Sequence, residues 1–259
     1  MLPRIDPPVL PTTTDIGLPQ GTYPAWKRGI DLFCCLLALP SLLLLTLLMT
    51  AVTKFVAPGP VFFRQERVGC RGRRFWIYKF RTMHVGADVK GHQAYVKELI
   101  GTNAPMVKLD AKNDARLIPG CWLLRASGLD ELPQILNVLH GDMSVVGPRP
   151  CLPAEYAEFK PWQRRRCDSV PGLTGLWQVS GKNRTTFEEM IRLDIRYGER
   201  KSAGEDIRII LMTVPALMVQ LYDTRTGRKA QTPTAYTIPP FSMGAAPARS
   251  SGSPYQRRG

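Results

Sequence analysis

The sequence lacks the short motifs that mark the common cofactor-dependent protein classes. It contains neither a Walker loop nor a G-x-G-x-x-G segment, which argues against a kinase or a dinucleotide enzyme. The six cysteines form no C-x-x-C pair and the three histidines have no ligand spacing, so neither a zinc site nor a disulfide framework is indicated. Cysteines scattered in this way are expected in a reducing compartment.

Acidic residues are scarce, since 35 Lys and Arg face 21 Asp and Glu, for a net charge of +14. This surplus favours nucleic acid, an anionic lipid leaflet or phosphorylated ligands as partners, and charge alone does not choose among them. No zinc-finger spacing, aromatic RNP strand or heptad-plus-basic region is present, so nucleic acid is not a predicted partner. The N-terminus also lacks a basic signal-peptide region, and we expect no removable signal.

One long stretch lacks charge altogether. Residues 32–53 contain no charged residue and are long enough to enter a bilayer, with Pro40 and Ser41 inside the run. Both flanks are basic, so a helix broken at Pro40 and turned back would keep both on the anionic cytoplasmic face. Pro40 removes a backbone donor, and Ser41 can satisfy a freed carbonyl. We therefore predict a re-entrant hairpin, with a kinked spanning helix as the alternative.

Composition divides the chain into four parts. Residues 1–23 and residues 224–259 are rich in proline and small polar residues, and we predict that both are disordered. Residues 24–57 form the predicted re-entrant membrane helix, and residues 58–223 form the predicted domain on the cytoplasmic face.

The predicted fold class is mixed α/β, a monotopic membrane protein with small strand elements and amphipathic helices at the membrane surface. Two short strands are expected within residues 59–69 and 75–83, around a turn rich in glycine and arginine. Helical periodicity predicts helices over residues 132–139, 187–197 and 205–221, and a weak helical stretch over 92–100.

Adjacent carboxylates mark the motif LDELPQ. Asp130 and Glu131 precede Pro133, a residue favoured in the first turn of a helix, so helix amides and dipole would keep a carboxylate ionised there. The same terminus attracts phosphate, which a carboxylate could attack or approach with a divalent metal. The plainer alternative is that Asp130 only caps the helix.

Two arginines favour the phosphate hypothesis. Arg125 precedes Asp130 by five residues, and Arg149 lies between two prolines that restrict the backbone and would aim its guanidinium at phosphate. The basic cluster at residues 164–166 is more typical of a solvated face or a contact with the leaflet.

Six motifs follow one another along the chain. They are Lys27-Arg28 with Asp31 before the Pro-containing apolar run, FFRQERVG, YKFRTM, LDELPQ, GDMSVVGPRP and PGLTGLWQVSGKN. This set resembles the bacterial sugar transferases, the polyprenyl-phosphate glycosyl-1-phosphate transferases of the monotopic phosphoglycosyl transferase superfamily. The resemblance covers about residues 24–222 and corresponds to the minimal form of that family.

The resemblance implies transfer of a sugar 1-phosphate from a UDP-sugar donor to undecaprenyl phosphate, with release of UMP, on the cytoplasmic face of the bacterial inner membrane. It implies Asp130 as the nucleophile of a covalent phosphosugar-aspartyl intermediate and as a ligand of Mg²⁺, the usual cofactor. Glu131 would be its dyad partner, and Arg125 and Arg149 would clamp phosphate oxygens. The pathway implied is assembly of exopolysaccharide or another surface glycan.

Four further residues complete the predicted substrate-binding and phosphate-binding set. Lys79 and Arg81 belong to YKFRTM, and Asp206 matches an acidic position in the family's last conserved segment. Asp194 is the fourth, although lone carboxylates of this kind are more often solvated or salt-bridged than functional.

The sequence departs from the family at two places. Gly128 stands where the family usually has serine before LDE, which would loosen the helix cap. Residues 201–205 replace a more apolar stretch, which bears on how the last helix meets the lipid.

Two alternatives to this function stay open. One is a basic, membrane-tethered scaffold in which the acidic pair only caps a helix and the arginines bind anionic lipid. The other is a transferase that works by single-step displacement without a covalent intermediate. The residues do not choose among glucose, galactose and N-acetylated donors, and a homodimer is compatible with the sequence.

Overall fold

The computed structural model describes residues 23–86, 116–181 and 185–226. The helices within them are α1 Ala25–Phe55, α2 Cys121–Ser127, α3 Ile135–His140, α4 Pro153–Glu158, α5 Pro161–Arg164, α6 Leu176–Val179, α7 Phe187–Arg200 and α8 Ala203–Thr226. The strands are β1 Phe62–Val68, β2 Arg74–Phe80, β3 Ser144–Val146 and β4 Gly172–Thr174, and short 3₁₀ turns cover Cys70–Gly72, Leu129–Gln134 and Arg165–Asp168. Mixed helices and small strands agree with the predicted fold class.

Helix α1 is one continuous helix of 31 residues that includes Pro40. The predicted reversal at Pro40 is therefore not observed, because a proline removes a single helical hydrogen bond without forcing the chain to turn back. Its buried residues recur along one face for the whole length of the helix and are Lys27, Asp31, Cys35, Leu42, Met49 and Thr53. Helix α1 thus packs lengthwise on the rest of the protein and exposes leucines on its other side.

Strands β1 and β2 pair antiparallel, from Phe62 opposite Phe80 to Val68 opposite Arg74. This hairpin confirms the two strands expected from the sequence. The side chain of Asn137 on α3 donates to the carbonyl of Trp76 at 2.7 Å and accepts from the amide of Tyr78 at 3.2 Å. Strand β2 is therefore tied to the helical segment that follows the LDELPQ motif.

Strands β3 and β4 pair parallel, and glycines allow the chain beyond β3 to approach β4 closely. A Cβ atom on Gly172 would lie 2.0 Å from the amide nitrogen of Gly147, far inside contact distance. Residues 147–150, which we call the arginine loop, follow β3 directly and carry Arg149. The glycine contact therefore brings the arginine loop against β4.

The predicted helices are present with shifted bounds. The helix expected over residues 132–139 is a 3₁₀ turn, Leu129–Gln134, which runs into α3. The helices expected at 187–197 and 205–221 are α7 and α8, each longer than predicted. Thr186 begins α7 with a capping box, since its hydroxyl accepts from the amide of Glu189 at 3.2 Å.

Several predictions fall outside the described residues. The weak helix at 92–100 and most of the two predicted disordered ends, residues 1–22 and 227–259, lie there. The predicted tail begins at residue 224, whereas α8 continues to Thr226.

The largest hydrophobic core joins α1 to the strands and helices of the domain. Cys35, Leu42 and Met49 of α1 pack with Phe80 of β2 and Val138 of α3. Within the described residues, α1 and the segment Ala203–Thr224 of α8 are long and apolar enough to cross a membrane, on length and composition alone. Both helices expose large apolar side chains, as membrane association requires.

Candidate active site

A small pocket lies where β2, the arginine loop and the turn Leu129–Gln134 meet; we call this turn the acidic turn. Its lining residues are Arg67, Ile77, Lys79, Glu131, Gln134, Arg149, Pro150, Gly172 and Leu173. Strand β1 contributes Arg67, β2 contributes Ile77 and Lys79, and β4 contributes Gly172 and Leu173. The pocket therefore collects three cations and one carboxylate from four parts of the chain.

The acidic turn begins after Gly128, which occupies the capping position with a left-handed φ of 76° and offers no side chain for a cap. Asp130 and Glu131 lie inside the first turn, as the sequence predicted, and Asp130 is 7% exposed. Gly128, and not Asp130, therefore occupies the capping position of this turn.

Glu131 connects the two cations nearest to it in the pocket. Its Oε1 accepts from Lys79 Nζ at 2.7 Å and lies 3.6 Å from Arg149 Nη1. Burial lowers the pKa of the Lys79 ammonium, and the negative charge of Glu131 acts in the opposite direction. The structure thus brings together Glu131, Lys79 and Arg149 from the predicted site. Asp130 precedes Glu131 in the turn and its charge acts on Lys79, but it is not among the lining residues.

Arg67 is a pocket cation that was not among the predicted site residues. It is buried and donates to the carbonyl of Pro150 at 3.1 Å and to Gln65 Oε1 at 2.7 Å. Burial and the nearby charge of Arg149 lower the pKa of Arg67 to about 10. The sequence indicates that Arg67 lies on a strand, on the same face as Gln65 two residues earlier. It does not indicate which face of that strand is buried.

The charges of the pocket lining do not balance. Arg67, Lys79 and Arg149 carry three positive charges, and Glu131 is the carboxylate among the lining residues. Neighbouring cations that repel one another are stabilised when an anion enters, so the pocket is suited to a group with several negative oxygens.

Asp194 lies away from the pocket lining, behind the arginine loop. Its Oδ2 accepts from Arg166 Nη2 at 2.6 Å, and the same Arg166 nitrogen donates to the carbonyl of Arg149 at 3.0 Å. Burial raises the pKa of Asp194 to about 6 even though the Arg166 charge opposes that shift. The hydrogen bonds of Arg166 thus connect Asp194 to the arginine loop, and the charge of Arg149 also acts on Asp194.

Arg81 and Asp206 also lie outside the pocket lining. Arg81 donates to the carbonyls of Ala57 and Pro60, just beyond the C-terminal end of α1. Asp206 forms a buried ion pair with Lys27, 2.5 Å between Nζ and Oδ2. The predicted phosphate contacts of Arg81, Asp206 and Asp194 stay predictions, and their observed bonds are structural.

Arg125 lies on α2, one turn before Gly128, and is not part of the pocket lining. Its predicted phosphate contact likewise stays a prediction. In the described residues, no group of three or more His, Cys, Asp or Glu side chains has the geometry of a metal site.

An acidic pair beside three pocket cations, on a scaffold with a long apolar helix, is an arrangement suited to transferase chemistry on phosphate groups. Residues 22–220 match the bacterial sugar transferase family. The chain therefore belongs to that family and is a transferase.

Three relatives illustrate this membership. The galactosyl transferase CpsE of Streptococcus agalactiae is 42% identical over 163 residues, which are 62% of this chain and 35% of CpsE. The exopolysaccharide production protein ExoY of Sinorhizobium fredii is 34% identical over 191 residues, 74% of this chain and 84% of ExoY. The UDP-glucose:undecaprenyl-phosphate glucose-1-phosphate transferase of Caulobacter vibrioides is 37% identical over 209 residues, 78% of this chain and 73% of the relative.

Proposed function

We propose that the protein transfers a sugar 1-phosphate from a UDP-sugar to undecaprenyl phosphate and releases UMP, as the first step in assembly of exopolysaccharide or another surface glycan. The observation that carries this proposal is the pocket in which Glu131 lies between Lys79 and Arg149, next to buried Asp130. Names of relatives support the substrates, since those from Caulobacter and Xanthomonas are UDP-glucose:undecaprenyl-phosphate glucose-1-phosphate transferases.

In the proposed first step, a carboxylate oxygen of Asp130 attacks the β-phosphorus of the donor. A bond forms between that oxygen and phosphorus, and the bond from phosphorus to the oxygen bridging the two phosphates breaks. UMP leaves with the bonding electron pair, and the sugar phosphate stays on Asp130 as an acyl phosphate. In the second step an oxygen of undecaprenyl phosphate attacks the same phosphorus and Asp130 leaves as a carboxylate.

The pocket cations supply the electrostatic part of this proposal. The donor diphosphate is anionic throughout, and charge moves to the bridging oxygen as UMP leaves. Fixed cations in a site with little water stabilise such charge more strongly than they would in bulk solvent. Lys79 and Arg149 fit this role because Glu131 holds both in the pocket, at 2.7 and 3.6 Å.

The donor groups present fit Mg²⁺ in one binding mode. Mg²⁺ commonly takes one or two protein carboxylates, substrate phosphate oxygens and water, so it does not need a cluster of protein ligands. Asp130 offers a carboxylate of this kind beside a pocket suited to phosphate, and Glu131 is engaged by Lys79. When bound, the ion would neutralise diphosphate charge and favour departure of UMP.

For the membrane we propose a monotopic arrangement, in which α1 lies along the cytoplasmic face of the bilayer and both of its ends remain on that side. Lys27 at one end bonds to the carbonyl of Val146, and Arg81 bonds to Ala57 just past the other end. Both contacts are made to the same domain. A continuous helix of 31 residues is about 46 Å long at 1.5 Å per residue, which exceeds the hydrocarbon thickness, so a crossing helix would carry its two ends to opposite faces.

The first experiment measures UMP release from a panel of UDP-sugars by detergent-solubilised protein, with Mg²⁺ and undecaprenyl phosphate. Asp130→Asn should abolish release, whereas Asp142→Asn, a carboxylate paired with Arg73 at 3.2 Å outside the pocket lining, should leave it nearly unchanged. No release from any donor by a folded protein would overturn the proposed reaction and favour the scaffold.

The covalent step is tested with a donor labelled in its sugar and no acceptor. We expect label to stay on the denatured wild-type protein and to be absent from Asp130→Asn. Undecaprenyl phosphate added before denaturation should remove the label. Full activity without labelled protein would instead assign single-step displacement.

The topology is tested with one epitope tag before α1 and another inserted after residue 86, so that α1 is the one candidate span between the tags. Both tags should become accessible to antibody only after the inner membrane is permeabilised. Tags that are accessible on opposite sides would show that α1 spans the membrane.

A further inference from the structure

Two buried arginines hold consecutive carbonyl groups of the arginine loop. Arg166 donates to the carbonyl of Arg149 at 3.0 Å, and Arg67 donates to the carbonyl of Pro150 at 3.1 Å. Arg67 also lines the pocket, whereas Arg166 and its partner Asp194 do not. The Arg166–Asp194 pair is therefore placed to act on the site without touching a ligand in it.

The backbone of Arg149 is restricted, so the hydrogen bond to its carbonyl group strongly affects the direction of its side chain. Pro148 precedes it and Pro150 follows it, and a residue before proline is confined to extended conformations. The backbone rotation that remains possible at Arg149 changes the direction of its carbonyl group. That group accepts a hydrogen bond from Arg166. Once the carbonyl direction is set, the starting direction of the Arg149 side chain is set as well.

Arg166 is itself oriented by Asp194. One guanidinium nitrogen, Nη2, serves both the Asp194 carboxylate at 2.6 Å and the Arg149 carbonyl at 3.0 Å. The side chains of Arg166 and Asp194 are 3% and 1% exposed, so water cannot easily replace either partner. The ring of Phe159 lies 5.7 Å from the guanidinium carbon and limits its movement further.

We infer that Arg166 and Asp194 are positioning residues for Arg149, and that they hold its guanidinium toward Glu131 and the donor diphosphate. This inference rests on the proposed function for the identity of the diphosphate. It assigns to Asp194 a role different from the direct substrate contact that the sequence predicted.

Charged and titratable groups from several neighbouring elements surround this pair. Asp194 on α7 faces Arg166 and the charge of Arg149, while Arg166 is also influenced by Glu155, Cys151 and Cys167. Burial raises the pKa of Asp194 to about 6, so protonation there weakens the hold on Arg166 at mildly acid pH.

The test compares Asp194→Asn and Arg166→Lys with a matched control pair. Arg165 and Glu199 lie on the same two elements, at 2.9 Å, and are 58% and 42% exposed. Loss of a supporting contact of this type lowers activity about 10- to 100-fold, and we expect that loss in kcat/KM for the UDP-sugar with Asp194→Asn. Glu199→Gln should stay close to wild type.

The pH profile and a double-substitution cycle separate positioning from general stability. Wild-type kcat/KM should fall below about pH 6, and Asp194→Asn should remove that limb. Arg166→Lys should retain part of the activity and should cost little further activity in an Arg149→Met background. The inference would be overturned if Arg166→Lys lowered activity equally with and without Arg149. It would also be overturned if Asp194→Asn kept the same fall in kcat/KM at acid pH.

Calorimetric binding of UDP supplies a readout that does not need turnover. If wild type releases UMP and both variants do too at wild-type rates, the positioning role fails while the proposed function stands. If wild type releases none, the proposed function fails, and the positioning role is judged by UDP affinity. That affinity should fall with Asp194→Asn only when Arg149 is present, and an equal fall in Arg149→Met would overturn the role.

Discussion

Lys27 Nζ and Asp206 Oδ2 lie 2.5 Å apart, and this buried ion pair joins the apolar helix α1 to α8. Lys27 also donates to the carbonyl of Val146 at 2.8 Å, and Tyr197 donates its hydroxyl to Asp206 Oδ1 at 2.6 Å. Burial, followed by the Asp206 charge, raises the pKa of Tyr197, which therefore stays a neutral donor. The start of α1 is thus attached to the domain by charge as well as by apolar contact.

Lys27→Met should be strongly destabilising, because it leaves the Asp206 carboxylate buried without its cation. Removing one partner of a buried pair typically costs about 3 to 5 kcal/mol, whereas removing both can be nearly neutral. The double variant Lys27→Met/Asp206→Leu should therefore recover much of the loss. Thermal unfolding in detergent measures both, with Glu199→Gln as the exposed control, and a double variant no better than the single one would contradict this account.

Lys79→Met should reduce kcat for UMP release by about 100-fold, in the range found when one preorganised donor is removed from a charged transition state. Lys79→Arg should retain more activity because it keeps the positive charge beside Glu131. Arg74→Gln is the control, since Arg74 begins the same strand and its side chain is 46% exposed. Equal activity in Lys79→Met and wild type would remove Lys79 from the proposed site.

Gly128→Ala should destabilise the protein by about 1 to 2 kcal/mol, the usual cost of a left-handed conformation for a residue with a Cβ atom. Gly128 has a φ of 76°, and its Cβ atom would also lie 3.3 Å from Leu217. Gly204→Ala is the control, because Gly204 lies in α8 and has open space around it. The melting temperature should fall in the first variant and hold or rise in the second; a fall in both would point to another cause.

As pH rises from 4 to 6, the stability of the wild-type protein should decline more than that of Asp194→Asn. The pKa of Asp194 rises from 3.8 to about 6 on folding, so the folded state holds this proton more tightly than the unfolded chain. That contribution is complete below the unfolded value and is lost as pH rises through the folded one. Melting temperatures across this pH range test it, and parallel curves for the two proteins would contradict it.

Local signals predicted the parts of the fold that depend on neighbouring residues. Two strand-like segments around a turn rich in glycine and arginine predicted the β1–β2 hairpin, and the acidic residues before Pro133 predicted a helix start near them. Helical periodicity located α7 and α8. Each of these depends on residues that are close in sequence, where propensity and pattern carry real information.

Contacts between distant residues could not be predicted in the same way. Strands β3 and β4 have three residues each, too few for a periodic pattern, and they pair across an intervening stretch of helices. Lys27 and Asp206 are 179 positions apart, and nothing in the local composition marks either as buried. Nothing near Arg67 or Arg166 in the sequence indicated that tertiary packing would bury them.

The lengthwise packing of α1 has a practical consequence for work with this protein. Cys35, Leu42 and Met49 of that helix belong to the same core as Phe80 and Val138 of the domain. Cutting away residues 25–55 would therefore strip one wall from the core and expose its interior. We therefore expect deletion of this helix to unfold the domain and not to release a stable catalytic fragment.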